Sequence, residues 1–255
     1  MSNKLNSSSL ESDLYTVYQP KFYSDTLELY GFETLCRWSD PISGSVPPSV
    51  FIPIAERCGA IDRIGLLVLE KTIEFIASYN EQNDSQLITS VNVSPQQLHA
   101  KRAESFIAFL KSNLAKHKID PKLIELEITE TEEIDDITGI GGTIEQLKEI
   151  GVGLSIDDFG VGHSSIMRII ELDVDTIKLD KSIINKVLSE KGEKVCRGLI
   201  DTFQAIDMKV VAEGVENENQ LKVLQEAGCD IIQGFHLGRP MNASAAQDLI
   251  IKSRE

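Results

Sequence analysis

The chain has 255 residues, 42% apolar and 25% charged, which suits one large α/β domain or two small ones around a substantial core. Its net charge of −15 excludes a protein that grips a nucleic-acid polymer nonspecifically through its phosphates. A small anionic ligand stays compatible with that charge if bound cations offset the carboxylates.

The opening segment "MSNKLNSSSLESD", residues 1–13, is polar and lacks the apolar stretch of a signal peptide. It reads as a disordered tail, or as a linker from a longer chain, ahead of a single domain over 14–255. No apolar run reaches the roughly 18 residues of a membrane helix, so no membrane partner is expected and the location is read as cytoplasmic. Cys36, Cys58, Cys196 and Cys229 are scattered without a C-x-x-C pair and read as reduced core residues. The four histidines form no metal-binding spacing.

Eight short runs rich in β-branched or aromatic residues then follow in order: "LYTVYQPKFY", "LYGFETLCRW", "LITSVNVS", "LIELEIT", "VGLSIDD", "DTIKLD", "KVVAEG" and "DIIQGF". The first two are separated by a few residues around "SDTLE", which suits a hairpin and antiparallel pairing. From the third onward each run is followed by a helical pattern. Examples are "SPQQLHAKRAESFIAFLKSNLAKH" and "NENQLKVLQEAG", the latter ending on a helix-stopping glycine. Alternating β and α elements imply a parallel sheet, and eight strands in one domain imply closure. The expected fold is an α/β, TIM-like (β/α)8 barrel with the first strand antiparallel. A doubly wound open sheet is the alternative, but no G-x-G-x-x-G turn follows the first strand.

Within "GFETLCRW", strand alternation puts Glu33, Leu35 and Arg37 on one face and Thr34, Cys36 and Trp38 on the other. Two charges on a buried face are costly unless something binds them. Similar polar groups stand at or near the ends of later runs: Asn92, Glu127, Asp157 and Asp158, Lys178, Glu213 and Gln233. Catalytic groups of parallel barrels project from the C-terminal ends of strands, and six successive strands ending this way point to a site. Glutamate, asparagine and aspartate are hard oxygen ligands suited to Mg²⁺ or Mn²⁺. Adjacent aspartates could serve a two-metal site of the kind that supports in-line attack of water on a phosphodiester. A lysine among them could hold the water or neutralise developing charge.

In "YQP", "GFETLCRW", "VNVSPQQL", "LEITETEE", "DDFGVGHSS", "IKLDKS", "AEGVENENQL" and "CDIIQGFHLGRPM" the chain resembles the EAL-domain family of cyclic-di-GMP phosphodiesterases over about residues 14 to 245. The resemblance implies an eight-stranded barrel with one antiparallel strand that opens cyclic-di-GMP to linear pGpG in bacterial second-messenger signalling. It implies that Glu33, Asn92, Glu127 and Asp157 hold one metal, with Asp157 bridging to a second held by Asp158 and Glu213. Lys178 would contact the hydrolytic water, making Lys178, Glu213 and Glu33 the catalytic groups. Gln19, Leu35, Arg37 and Gln233 would touch the substrate, Glu130 would steady the "DDFGVGHSS" loop, and Glu216 would have a supporting role. The family also implies a homodimer and control by a regulatory domain or protein partner.

The chain departs from the family pattern at Thr34, in place of the signature alanine, and at Val161 and His163, in place of a threonine and a tyrosine. Lys21 adds a charge near the substrate-binding strand, or else is simply a solvated side chain. Two other readings are a cyclic-di-GMP receptor without turnover, acting through a partner, and a metal-dependent barrel acting on a sugar or an enolisable acid. The retention of every implied ligand favours the phosphodiesterase.

Overall fold

In "IELEIT" apolar residues and carboxylates alternate, yet all but the last residue are buried. A surface strand with this pattern would show its carboxylates to water. Here Ile124, Leu126 and Ile128 belong to the main apolar core, while Glu125 and Glu127 meet the buried ammonium groups of Lys21 and Lys178. The polar face of the strand therefore lines the inside of a closed sheet.

The computed structural model describes residues 2–5, 7, 10–80, 87–129, 137–161 and 166–254. Its strands are β1 (Leu14–Tyr23), β2 (Leu29–Asp40), β3 (Gly44–Val46), β4 (Ile88–Val93), β5 (Ile124–Thr129), β6 (Gly153–Phe159), β7 (Thr176–Leu179), β8 (Lys209–Ala212) and β9 (Ile231–Ile232). The order β1-β9-β8-β7-β6-β5-β4-β2 is closed by pairing of β1 with β2, which makes an eight-stranded barrel. β1 runs antiparallel to β2 and β9, whereas the pairings from β2 through β4 to β9 are parallel. This is the TIM-like barrel with an antiparallel first strand that the sequence predicts. The hairpin forces that orientation, since a short turn can join only antiparallel strands. β3 is an additional edge strand on β2, too short to register as an apolar run.

Gly31 sits where β2 approaches β4, and a Cβ there would lie 1.7 Å from the Ile88 carbonyl oxygen. Between these strands the chain forms helices Pro48–Cys58 and Ile61–Asn80, which cover one side of the barrel mouth. The helical pattern over 94–117 splits into a 3-10 turn, Pro95–Leu98, and a helix, Ala100–His117, because His99 is extended (φ −88°, ψ 132°). In "NENQLKVLQEAG" the helix is Glu218–Glu226, capped by Asn217 and followed by Gly228 at φ 75°.

The described residues of 1–13 depart from the expected disordered tail. Ser2–Leu5 and Leu10–Asp13 are helical turns, with Leu5 and Leu10 buried in the core and Lys4 paired with Asp40 at 2.6 Å. Two leucines spaced through a polar segment are enough to dock it. All four cysteines are free; Cys196 and Cys229 are buried, while Cys36 and Cys58 are half-buried. Among the described residues no helix is long and apolar enough to cross a membrane.

Candidate active site

Strand register, parallel between β4 and β5 and antiparallel between β1 and β2, sets the site's lower layer. Asn92 on β4 lies opposite Glu127 on β5, and Gln19 on β1 lies opposite Glu33 on β2. Asn92 Nδ2 donates to Glu33 Oε1 at 2.8 Å and to Glu127 Oε2 at 3.4 Å. Gln233 Nε2, from the end of β9, donates to Glu33 Oε2 at 2.7 Å. Glu33 is thus held by two neutral amides rather than by Arg37, whose Nη1 donates to the Cys36 carbonyl at 2.9 Å. The two charges of "GFETLCRW" do not pair with each other.

Lys178, fully buried on β7, is the hub. Its Nζ lies 2.7 Å from Glu127 Oε2, 2.8 Å from Glu213 Oε1, 2.9 Å from Asp157 Oδ1 and 3.8 Å from Glu33 Oε2. Burial pulls its pKa down, but Asp157, Glu127 and Glu213 outweigh that and hold it well above the ordinary value. The carboxylates are affected unequally. Burial and then repulsion from Glu127 push Glu33 up to about 7. Burial, against the pull of Lys178, pushes Asp157 up to about 6 and Glu213 well above its usual range. Burial alone would raise Glu127 too, but Lys178 and Lys21 together lower it.

Asp158 reaches this cluster through a break in alternation. A regular strand would send Asp157 and Asp158 to opposite faces. The β6–β7 register shifts between Ile156 and Phe159, and Asp158 takes a left-handed conformation at φ 58°. Aspartate tolerates that region better than most residues. Oxygens of Asp157, Asp158 and Glu213 then fall within 4.8 Å of one another, as do those of Glu33, Glu127 and Asp157.

These two groups of hard oxygen donors share Asp157. Lys178, with Lys21 shared between Glu127 and Glu125, does not neutralise the five carboxylates they contain, so the donor set fits divalent cations such as Mg²⁺ or Mn²⁺. With Asn92 Nδ2 engaged by carboxylates, its acceptor oxygen is the end left for a cation.

Above the cluster opens a cavity of about 480 Å³, lined among others by Gln19, Leu35, Arg37, Asp158, Glu213 and Gln233. All four residues implied to touch substrate therefore share one mouth with the acidic cluster. Sequence reasoning missed the apolar wall supplied by Ile52, Ile61, Ile64 and Val68, whose helices have no strand-end signal. It also missed Lys181, which pairs with Glu216 at the rim. Thr34 is buried and its hydroxyl has no hydrogen-bond partner among the described residues. Val161 is 65% exposed, while Glu130 and His163 lie outside the described residues. Lys21 is not solvated: it is fully buried beneath the cluster, because β1 turns alternate residues into a barrel that the helices seal.

A mixed eight-stranded barrel with an acidic, lysine-centred mouth defines the class to which this domain belongs. A family model described as "EAL domain" matches residues 2–240, and the chain belongs to that family. It is 38% identical over 233 residues to the oxygen sensor protein DosP of Escherichia coli, covering 91% of this chain and 29% of DosP. It is 34% identical over 228 residues to the bifunctional diguanylate cyclase/cyclic di-GMP phosphodiesterase MucR of Pseudomonas aeruginosa, covering 89% of this chain and 33% of MucR. The solved structure of the MucR phosphodiesterase in complex with c-di-GMP superposes with a TM-score of 0.85 at 32% identity, covering 92% of this chain and 94% of that one. The chain spans about a third of the length of these curated relatives.

Proposed function

We propose that this domain hydrolyses cyclic-di-GMP to linear pGpG with Mg²⁺ or Mn²⁺. The observation that carries this reading is the pair of carboxylate triads around buried Lys178, opening into the cavity that Arg37 lines. Glu33, Asn92, Glu127 and Asp157 would hold one cation, and Asp157, Asp158 and Glu213 the other. Bound cations supply Lewis-acid polarisation of the phosphoryl group and a more acidic water.

The residues of the chain do the rest. Arg37 offers a forked donor to a phosphate oxygen, and Gln19 and Gln233 fix the ligand's polar edges. Ile52, Ile61, Ile64 and Val68 give a base an apolar wall. Lys178, held as an ammonium by the carboxylates in the ion-free protein, would contact the water or the phosphoryl oxygen. The water oxygen bonds to phosphorus, and the bond from phosphorus to one ribose 3′ oxygen breaks. That oxygen leaves as an alcohol once protonated, and the water's proton passes to the carboxylates, with Glu213 facing the cavity.

The proposal includes a cytoplasmic location and a homodimer, the latter supported by exposed Val161, Met167 and Ile170 after β6. It also includes a regulatory domain or partner, in keeping with relatives about three times as long.

The test is incubation with cyclic-di-GMP and either metal, followed by nucleotide separation. Metal-dependent pGpG is the expected product. Tight binding without pGpG at any metal concentration overturns hydrolysis in favour of a receptor.

A further inference from the structure

Beneath the carboxylate cluster lies a second polar layer to which no catalytic role attaches. Lys21 Nζ, from the antiparallel strand β1, lies 2.9 Å from Ser90 Oγ, 3.1 Å from Glu125 Oε1 and 3.5 Å from Glu127 Oε1. Glu125 Oε2 accepts from Thr176 Oγ1 at 3.0 Å. All five residues are buried. Below the ammonium lies the Tyr30 ring, 5.7 Å to its centroid. Val211 and Ile231 pack with Tyr30 there.

Glu127 is therefore gripped at both ends. Lys178 takes Oε2 at 2.7 Å from the mouth side, while Lys21, 3.5 Å from Oε1, and the Ser90 hydroxyl approach the carboxylate from below. A glutamate side chain has three rotatable bonds, and a ligand that is free to turn binds a cation less well than one held in place. We propose that Lys21 is a positioning residue: it orients Glu127 toward the cation site and acts on metal binding through that carboxylate. The inference rests on the reading of Glu127 as a metal ligand. It accounts for a fully buried charge on the strand that closes the barrel.

Removing Lys21 alone strands Glu125 and also deletes a positive charge that repels a cation, so its effect has two signs. The paired variant K21M/E125Q keeps the net charge of the layer, leaving orientation as the main change. Direct Mn²⁺ titration followed by electron paramagnetic resonance reads affinity without requiring turnover, and thermal denaturation reads folding. The expected result is a melting temperature close to that of the unaltered protein and Mn²⁺ affinity reduced by about tenfold. The Mn²⁺ concentration for half-maximal activity should rise in parallel. Affinity within twofold of the unaltered protein, at an unchanged melting temperature, overturns the proposal and leaves the layer a packing feature. If K21M/E125Q does not fold, Ser90→Ala decides. It removes the oxygen that Lys21 and Glu127 share, so it loosens the same Lys21–Glu127 contact, and should weaken Mn²⁺ binding two- to threefold; unchanged affinity overturns the proposal. Failure of the phosphodiesterase reading would instead show as no pGpG from the unaltered protein, with its Mn²⁺ binding intact.

Discussion

Five carboxylates crowded at the barrel mouth make protonation and cation binding alternatives at the same place. Glu33 and Asp157 have pKa values raised to about 7 and about 6 in the ion-free protein, chiefly by burial. The folded chain then holds protons more tightly than the unfolded one, so ion-free stability falls as pH rises through those values. Glu127, lowered, is ionised in both states above pH of about 5 and adds no opposing slope there. A divalent cation needs the ionised forms. The melting temperature in EDTA should fall between pH 5 and 7, and the increase produced by Mg²⁺ should widen over the same range. A metal-induced shift that is constant across the range would contradict this account. Glu33→Gln preserves shape and the contacts of Asn92 and Gln233 in part, but it removes a carboxylate proposed to hold a cation. Turnover should fall on the order of 10²-fold or more, with the fold retained by circular dichroism.

At the scale of elements, β6 and β2 carry the geometry. Asn tolerates the left-handed region nearly as well as Asp, so Asp158→Asn should leave the melting temperature unchanged. Metal titration should nevertheless show one of the two proposed sites lost, which separates the proposed ligand role of Asp158 from its backbone role. Gly31→Ala tests the opposite kind of position, one with no side chain to offer a cation, two residues before Glu33 on β2. Its Cβ would meet backbone at 1.7 Å, and backbone cannot rotate away. We expect about 3 kcal/mol of destabilisation, seen as a fall of roughly 10 °C in melting temperature. Retention of full stability would show that β2 and β4 part more easily than close packing allows. The strands themselves were legible because β-branched runs separated by helical patterns admit few topologies. β3 and the helix break at His99 were not, since three residues or one extended residue leave no periodicity to read.

Across the whole molecule, the docked N-terminal turns extend the core beyond the barrel. Leu10 is 1% exposed and lies in the same apolar cluster as Leu14 and Trp38. Leu10→Ala should cost about 2–5 kcal/mol, measured by denaturant unfolding, if this segment is part of the domain rather than an appendage. A loss near zero would make it an appendage. The sequence by itself determined the barrel, its antiparallel first strand and the polar strand-end residues, because alternation and strand order are local or nearly local properties. It already implied separate roles for Glu33 and Arg37, but it could not determine the left-handed turn by which Asp158 comes back toward Asp157. Nor could it show that Lys21 is buried under Glu127. Those facts depend on which side chains closure of the sheet brings within a few ångströms, and on one left-handed residue that breaks alternation. Only the tertiary structure sets such distances, since groups that meet can lie 200 residues apart in the chain, as Glu33 and Gln233 do.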